Sequence, residues 1–240
     1  MKRFLLIAAL LTVLLTACAP VDLDPAMPAY QTGVDSEAWA QIPAGAFYSG
    51  QHDEVKSTGV YEIMVTNVTT AQYAAFLNAA LAEGVVKIEN GRVSGYYPGD
   101  EFRGYKHEER IDPGDYLYIP LDDPSQRVKY NGTAFSVQPD YENHPMTMVS
   151  WFGARGYCEF NSSRLPTEAE WEKAARGTDT RPFPWGDEIA HGNANYYASR
   201  DPFEDMASFG SRTSPVGFYN GATYAGYATL DSVSPYGLYD

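Results

Sequence analysis

Arg164-Leu165-Pro166-Thr167-Glu168-Ala169-Glu170-Trp171-Glu172-Lys173-Ala174-Ala175-Arg176-Gly177 reads as one helix with both ends punctuated. Thr167 can accept from the amide three residues on, and Glu170 can reach back to the Thr167 amide, which makes a capping box. Pro166 precedes the cap, and Trp171 stands where a hydrophobic staple would close. Ala174 and Ala175 continue the buried face, while Glu168 and Glu172 fall on the polar side. Arg176 complements the dipole in the last turn, and Gly177 ends the helix. Thr167, Glu170 and Trp171 are therefore expected to be structural rather than reactive.

Working outward, Ser150 opens a preceding helix in which Trp151, Ala154 and Cys158 share one face. That spacing predicts a core-facing, structural Cys158, although Gly153 and Gly156 count against a stable helix. Farther upstream, Thr69-Thr70-Ala71-Gln72 is a second capping box, followed by Tyr73, Phe76, Leu77, Ala80 and Leu81 at helical spacing and a stop at Gly84. Tyr61 to Val68 reads as a core strand, and Trp39 to Phe47 as a strand entering a Pro-Gly turn. Gly95 to Tyr141 reads as mostly irregular, with β-like pieces at Tyr116–Leu121 and Thr133–Val137. No helical period survives after Arg181.

The composition agrees with this loop-rich picture. The 240 residues include 19 Tyr, 11 Phe, 21 Gly and 16 Pro, which favours turns and short strands over a helical bundle. The net charge of −14 argues against nucleic acid, whose phosphates are held by Lys and Arg clusters. Two cysteines are too few for a disulfide-stapled miniprotein.

At the N-terminus, Lys2-Arg3 precedes an apolar run from Phe4 to Leu15, too short to span a bilayer comfortably. Leu15-Thr16-Ala17-Cys18 resembles the bacterial lipobox, in which the cysteine becomes the acylated first residue. Residues 1–18 are thus expected to be a lipoprotein signal peptide, with Cys18 the lipidation site. Several acyl chains, at ~0.8 kcal/mol per buried methylene, would hold a domain on a membrane. Ala19 after the cysteine favours the outer membrane of a two-membrane cell envelope, with the domain facing the periplasm or exterior. Residues 19–38, rich in Pro and Asp, read as a flexible tether.

Reactive chemistry is hard to find in the residues themselves. His52, His107, His144 and His191 are scattered without a metal-binding pair, and His144-Pro145 reads as an extended dipeptide whose ring packs or caps. There is no nucleophile elbow, no Cys-x-x-Cys and no phosphate loop.

A resemblance goes further. The stretch Arg164–Gly177 resembles the signature of the formylglycine-generating enzyme family, also called sulfatase-modifying factors. Ile42-Pro43-Ala44-Gly45, Val65-Thr66-Asn67-Val68-Thr69, His144-Pro145, Val149-Ser150-Trp151 and Tyr157-Cys158 match its earlier elements in order. Pro184-Trp185-Gly186-Asp187, Thr213-Ser214-Pro215-Val216-Gly217 and Tyr236-Gly237-Leu238-Tyr239-Asp240 match its later ones.

The resemblance implies an α+β, C-type-lectin-like domain over residues 39–240, with about three helices and short antiparallel strands. It implies structural calcium, with Asn195 and the Tyr196 carbonyl in one site and Asp240 in a second. It also implies copper held by a cysteine pair, used with oxygen to turn a cysteine of a Cys-x-Pro-x-Arg motif in a sulfatase into formylglycine. That pair belongs beyond the position of Asp240, where the family motif continues toward Gly-Asn-x-Trp-Glu-Trp, so the domain is expected to be incomplete at its C-terminus. In family members with disulfides, the position of Cys158 pairs with a cysteine near the C-terminus. The alternative is a non-catalytic, lectin-like lipoprotein that binds partners or serves envelope assembly. Iron-dependent sulfoxide synthases sharing this domain carry a His-x-x-x-His-x-Glu triad that is absent here.

Overall fold

The computed structural model describes residues 29–205 and 210–239. The expected signal peptide, Cys18 and Asp240 lie outside them. The chain opens with four strands: β1 (Trp39–Ile42), β2 (Gly45–Ser49), β3 (Glu54–Thr58) and β4 (Tyr61–Met64). The Pro-Gly turn separates β1 from β2 as its residues require. β2 and β3 form a hairpin, and β1 and β4 close around it as a second antiparallel pair, with Trp39 opposite Met64.

Helix α1 (Thr70–Ala82) follows. Thr69 accepts from the Gln72 amide at 3.2 Å and its own amide donates to Gln72 Oε1 at 2.7 Å, the reciprocal cap read from the sequence. Tyr73, Phe76, Leu77 and Ala80 are buried as their spacing predicts. They pack on a three-stranded antiparallel sheet of β5 (Val86–Glu89), β6 (Arg92–Tyr97) and β7 (Gly114–Pro120). A further hairpin, β8 (Val128–Tyr130) with β9 (Phe135–Val137), is tied to α1 where Asn78 brackets the Phe135 backbone. The stretch from Gly95 to Tyr141 is thus more regular than its sequence suggests. Register across β6 and β7 fixes Val93 and Ile119 in the core, and Tyr, Gly and Asp between them hide the alternation.

Helix α2 (Trp151–Phe160) is capped by Ser150 and lies against β7. The two glycines that weakened its reading explain its position. A Cβ at Gly153 would stand 2.8 Å from the Tyr118 carbonyl, and one at Gly156 within 2.6 Å of the Tyr118 ring. The helix approaches so closely that only glycine fits. Helix α3 (Glu168–Arg176) follows with its own reciprocal cap.

The remainder consists of turns and two-residue pairs: β10 (Glu204–Asp205) with β11 (Gly210–Ser211), and β12 (Thr223–Tyr224) with β13 (Tyr227–Ala228). It gathers Tyr141, Phe203, Phe218, Tyr219 and Tyr224 into a second core. Residues expected in the tether belong to this core. Tyr30 packs on Phe203, Phe218 and Tyr224, and Thr32 Oγ1 donates to the Val216 carbonyl at 2.9 Å. The Val34 side chain lies where a Cβ on Gly217 would fall, at a backbone φ of +69°. The folded part therefore begins by Tyr30. Pro and Asp nearby masked the few side chains that anchor it.

Candidate functional site

Between the β1–β4 pair, α2, α3 and the C-terminal turns runs a groove of about 1310 Å³. Its floor carries Tyr157 and Cys158 of α2. One wall carries Trp171 and Ala175 of α3, and the other follows β4 into Thr66 and Asn67. Asn193, Asn195, Leu238 and Tyr239 close the C-terminal side.

The sequence stretch quoted first supplies the groove's best-defined rim. Glu170 accepts from Arg164 through two guanidinium nitrogens at 2.7 and 2.6 Å and from the Thr167 amide at 2.8 Å. Arg164 and those capping bonds hold the Glu170 carboxyl down at about 2 despite partial burial. Tyr61 on β4 donates its hydroxyl to the Glu170 carbonyl at 2.5 Å, joining the walls. Burial, reinforced by Glu170, pushes that phenol up to about 12. Thr167 and Glu170 thus hold α3 in place.

Three expectations for this region need correction. Trp171 does not close a staple: it is 62% exposed, because Pro166 ahead of the cap is itself exposed and α3 buries Lys173 and Ala174 instead. Trp151 is likewise exposed, so the face it shares with Cys158 is not the core face, and Cys158 is only half-buried on the groove floor. Burial still pushes its thiol up, which disfavours a reactive thiolate. Glu172 is not an idle polar residue. It accepts from Ser49 Oγ at 2.5 Å and the Gly50 amide at 2.7 Å, pinning the β2–β3 hairpin.

Lys173 does the same from the buried side and was missed by sequence reasoning. Its Nζ donates to the Pro43 and Gly45 carbonyls and to Thr58 Oγ1, at 2.6, 3.1 and 2.9 Å, while burial lowers its pKa. Its place beside Ala174 on the inward face was the available signal.

The calcium candidates are brought near the groove without forming a cage among the described residues. The Asn195 amide donates to the Arg212 carbonyl at 2.5 Å, and the Tyr196 carbonyl accepts from the Ser199 amide at 2.9 Å. Nearby, the buried Asp201 accepts from Ser199 Oγ, the Phe203 amide and the Tyr219 hydroxyl, at 2.6, 2.8 and 2.9 Å. Its oxygens serve protein donors. No group of three or more His, Cys, Asp or Glu positioned for a metal occurs among the described residues, whereas calcium takes six to eight oxygens. The Asp201-Pro202-Phe203 triplet, an Asx-turn in which the Asp201 carboxylate accepts from the Phe203 amide, was the overlooked sign of this cluster. Cys158 is the one cysteine among the described residues, so the cysteine pair that would hold copper does not lie among them.

The profile of the Sulfatase-modifying factor enzyme 1-like domain matches residues 26–240. The chain belongs to this family. Its match begins close to where Tyr30 enters the second core, and it spans both cores and the groove between them. The formylglycine-generating enzyme of Mycobacterium tuberculosis is 31% identical over 185 residues, covering 69% of this chain and 58% of that protein. Serine/threonine-protein kinase pkn1 of Chlamydia caviae is 36% identical over 115 residues, 48% of this chain and 15% of the kinase. The inactive C-alpha-formylglycine-generating enzyme 2 of Bos taurus is 35% identical over 100 residues, 40% of this chain and 29% of the relative. The chain therefore spans well under two thirds of each of these relatives. The loop-rich α+β sulfatase-modifying factor fold expected from the sequence is the one observed, with three helices and short antiparallel strands.

Proposed function

We propose that this sulfatase-modifying factor domain acts on a protein substrate by binding a segment that presents a cysteine for conversion to formylglycine, as in sulfatase maturation. The observation that supports this is the identity to a formylglycine-generating enzyme over 185 residues. The chain's part in that reaction is to build and orient the binding surface. The copper that the family resemblance implies, held by a cysteine pair that does not lie among the described residues, would supply the oxidation with oxygen. In its longest natural form the protein should bind copper and convert the thiol of a Cys-x-Pro-x-Arg peptide into an aldehyde trapped by hydrazide. Peptide binding without aldehyde would leave the second reading, a non-catalytic binding or envelope-assembly protein.

The proposal includes a lipid anchor at Cys18 and display from the cell envelope, with the outer membrane as destination in a two-membrane bacterium. Cys18→Ser should move the protein from the membrane to the soluble fraction and abolish palmitate labelling; retention of both would reject the anchor. Structural calcium through Asn195 and the Tyr196 carbonyl, with Asp240 in a second site, is the remaining part. Calcium should raise Tm, and Asn195→Ala should remove much of that gain; an identical response in the variant would reject the first site.

A further inference from the structure

Asn-Gly occurs three times, at Asn90-Gly91, Asn131-Gly132 and Asn220-Gly221. Each sets a side-chain amide before a nitrogen whose residue carries no Cβ, and the fold treats the three differently. Asn90 and Gly91 form the two-residue turn between β5 and β6, with φ of +50° and +71°. That left-handed turn sets the Gly91 nitrogen across the Cα–C bond from the Asn90 Cβ, away from the side chain. Asn220 is tied down on every side. Its Nδ2 donates to the Thr32 carbonyl at 2.9 Å, its Oδ1 accepts from the Ala222 amide and the Tyr224 hydroxyl at 3.1 Å, and its backbone bridges to Asp231. Asn131 is exposed in the loop of the β8–β9 hairpin. Its Oδ1 accepts from the Thr133 and Ala134 amides at 2.9 and 3.0 Å. Its Nδ2 and the Gly132 amide make no hydrogen bond among the described residues.

We propose that Asn131 is a self-modification site, at which the folded chain converts the side-chain amide to aspartate and isoaspartate through a cyclic imide. Solvent base takes the Gly132 N–H proton, that nitrogen bonds to Asn131 Cγ, and the Cγ–Nδ2 bond breaks with release of ammonia. Water then opens the imide at either carbonyl, and nothing is oxidised or reduced. The Thr133 and Ala134 amides point at the oxygen on which negative charge gathers as the nitrogen adds, an arrangement that lowers such barriers. The leaving nitrogen is unrestrained, and the approach of Gly132 breaks no hydrogen bond of its amide. The two products differ in consequence. Aspartate keeps an oxygen for both amides. Isoaspartate routes the main chain through the former side-chain methylene and lengthens the hairpin beside the Tyr130–Phe135 pair, which disturbs its register. Phe135 is buried in the first core and bracketed by Asn78 of α1, so the disturbance reaches the helix. Residues 128–137 do not line the groove, which makes this chemistry independent of the activity proposed above.

Peptide mapping of the folded full chain during weeks in mildly alkaline buffer tests the site, with isoaspartate read by enzymatic methyl labelling. Asn131 should convert roughly tenfold faster than Asn90 or Asn220. In urea, where the fold no longer distinguishes them, the three rates should converge. Asn131→Gln, whose longer side chain closes an imide far more slowly, should stay unmodified at that position and keep the Asn90 rate. In aged wild type the isoaspartate fraction should lose exchange protection at Phe135. Asn131→Asp should keep that protection, and aged Asn131→Gln should match its fresh sample. Conversion of Asn131 no faster than that of Asn90 and Asn220 in the folded chain, or the same lead persisting in urea, would overturn the proposal. Full protection at Phe135 in the isoaspartate fraction would overturn its reach to α1.

Discussion

Around Leu77 the chain buries aliphatic and aromatic carbon between two helices and a three-stranded sheet. Around Phe218 it buries rings among loops, with a histidine and a carboxylate packed into the same region. In the first core the ladder and helices satisfy the backbone almost automatically. In the second, each buried polar group needs its own partner. The Val216 amide donates to the Asn143 carbonyl, the Ser232 amide to the Tyr219 carbonyl, and Asp201 gathers three donors. A loop-built core therefore depends more heavily on individual polar contacts and on pH.

The largest test of that contrast is truncation at the two centres. Phe218 meets Tyr30, Phe203, Tyr219, Tyr224 and Tyr227 at ring separations of 4.5 to 6.1 Å. Phe218→Ala should cost about 3–5 kcal/mol in urea unfolding, and Leu77→Ala about 2–5 kcal/mol. Hydrogen exchange should show Phe218→Ala loosening both the turns after Asn195 and the Tyr30 segment. Loosening of the turns alone would break the link between the N-terminal residues and the second core.

Acid should separate the cores next. His144 Nδ1 lies 2.8 Å from Thr213 Oγ1, its buried Nε2 has no hydrogen-bond partner among the described residues, and the ring meets Tyr141 and Phe203. Burial is the main cause that lowers its pKa to about 4; nearby Arg127 lowers it further, while Thr213 and Asp140 act the other way. Because the folded value lies below the ordinary 6.5, the neutral ring's stabilisation is complete above that pH. It is lost as pH falls from about 6.5 toward 4, by something of order 2–3 kcal/mol. His144→Gln should lower stability at neutral pH and flatten this window. An unchanged slope would assign the acid sensitivity to other groups.

Gly153 supplies a smaller test, in the regular core. Alanine there gains ~1 kcal/mol of helix propensity but places a methyl 2.7 Å from the Tyr73 hydroxyl and 2.8 Å from the Tyr118 carbonyl. Overpacking at about 1–3 kcal/mol should win, so Gly153→Ala lowers Tm. A rise in Tm would mean that α2 can lift away from β7.

The same contrast marks what was legible in the sequence. The cap and apolar spacing of α1 are local, and the structure keeps both. The β6–β7 pairing was obscured because it spans residues 98–113 and mixes Tyr with Gly. For Trp151, helical spacing identified a shared face that tertiary packing did not turn inward; on α3 the expected Ala174 is buried, and the Trp171 staple is the part that packing did not use. In the candidate site, Thr167 and Glu170 were readable because their chemistry spans three residues. Lys173, Glu172 and Asp201 depend on partners that become neighbours only after folding: Thr58 and Ser49 lie more than a hundred residues away from α3, and Tyr219 joins Asp201 from the next group of turns.

The two capping boxes offer the finest version of the comparison. The α1 cap is built on a neutral side chain, with Gln72 also donating to the Ser36 carbonyl and, at 2.6 Å, to Glu37 Oε1. The α3 cap is ionised, because Glu170 is shared between the Thr167 amide and Arg164. Thr69→Ala and Thr167→Ala should each cost about 1 kcal/mol at pH 7, so neutral pH barely distinguishes them. Acid does. The Glu170 value in the folded state, about 2, lies below its ordinary 4.5. Its stabilisation is therefore present above pH 4.5 and lost as pH falls toward 2. Once Glu170 is protonated, the reciprocal half of the α3 box weakens and the loss at Thr167 should shrink, whereas the Thr69 bond goes to the amide oxygen of Gln72, which does not titrate, and the Thr69 value should change less. Chemical unfolding of the two variants at pH 7 and below pH 2, where Glu170 is protonated in the folded state, checks this; parallel losses at both would mean that the ionised cap adds nothing to α3 beyond what a neutral one supplies.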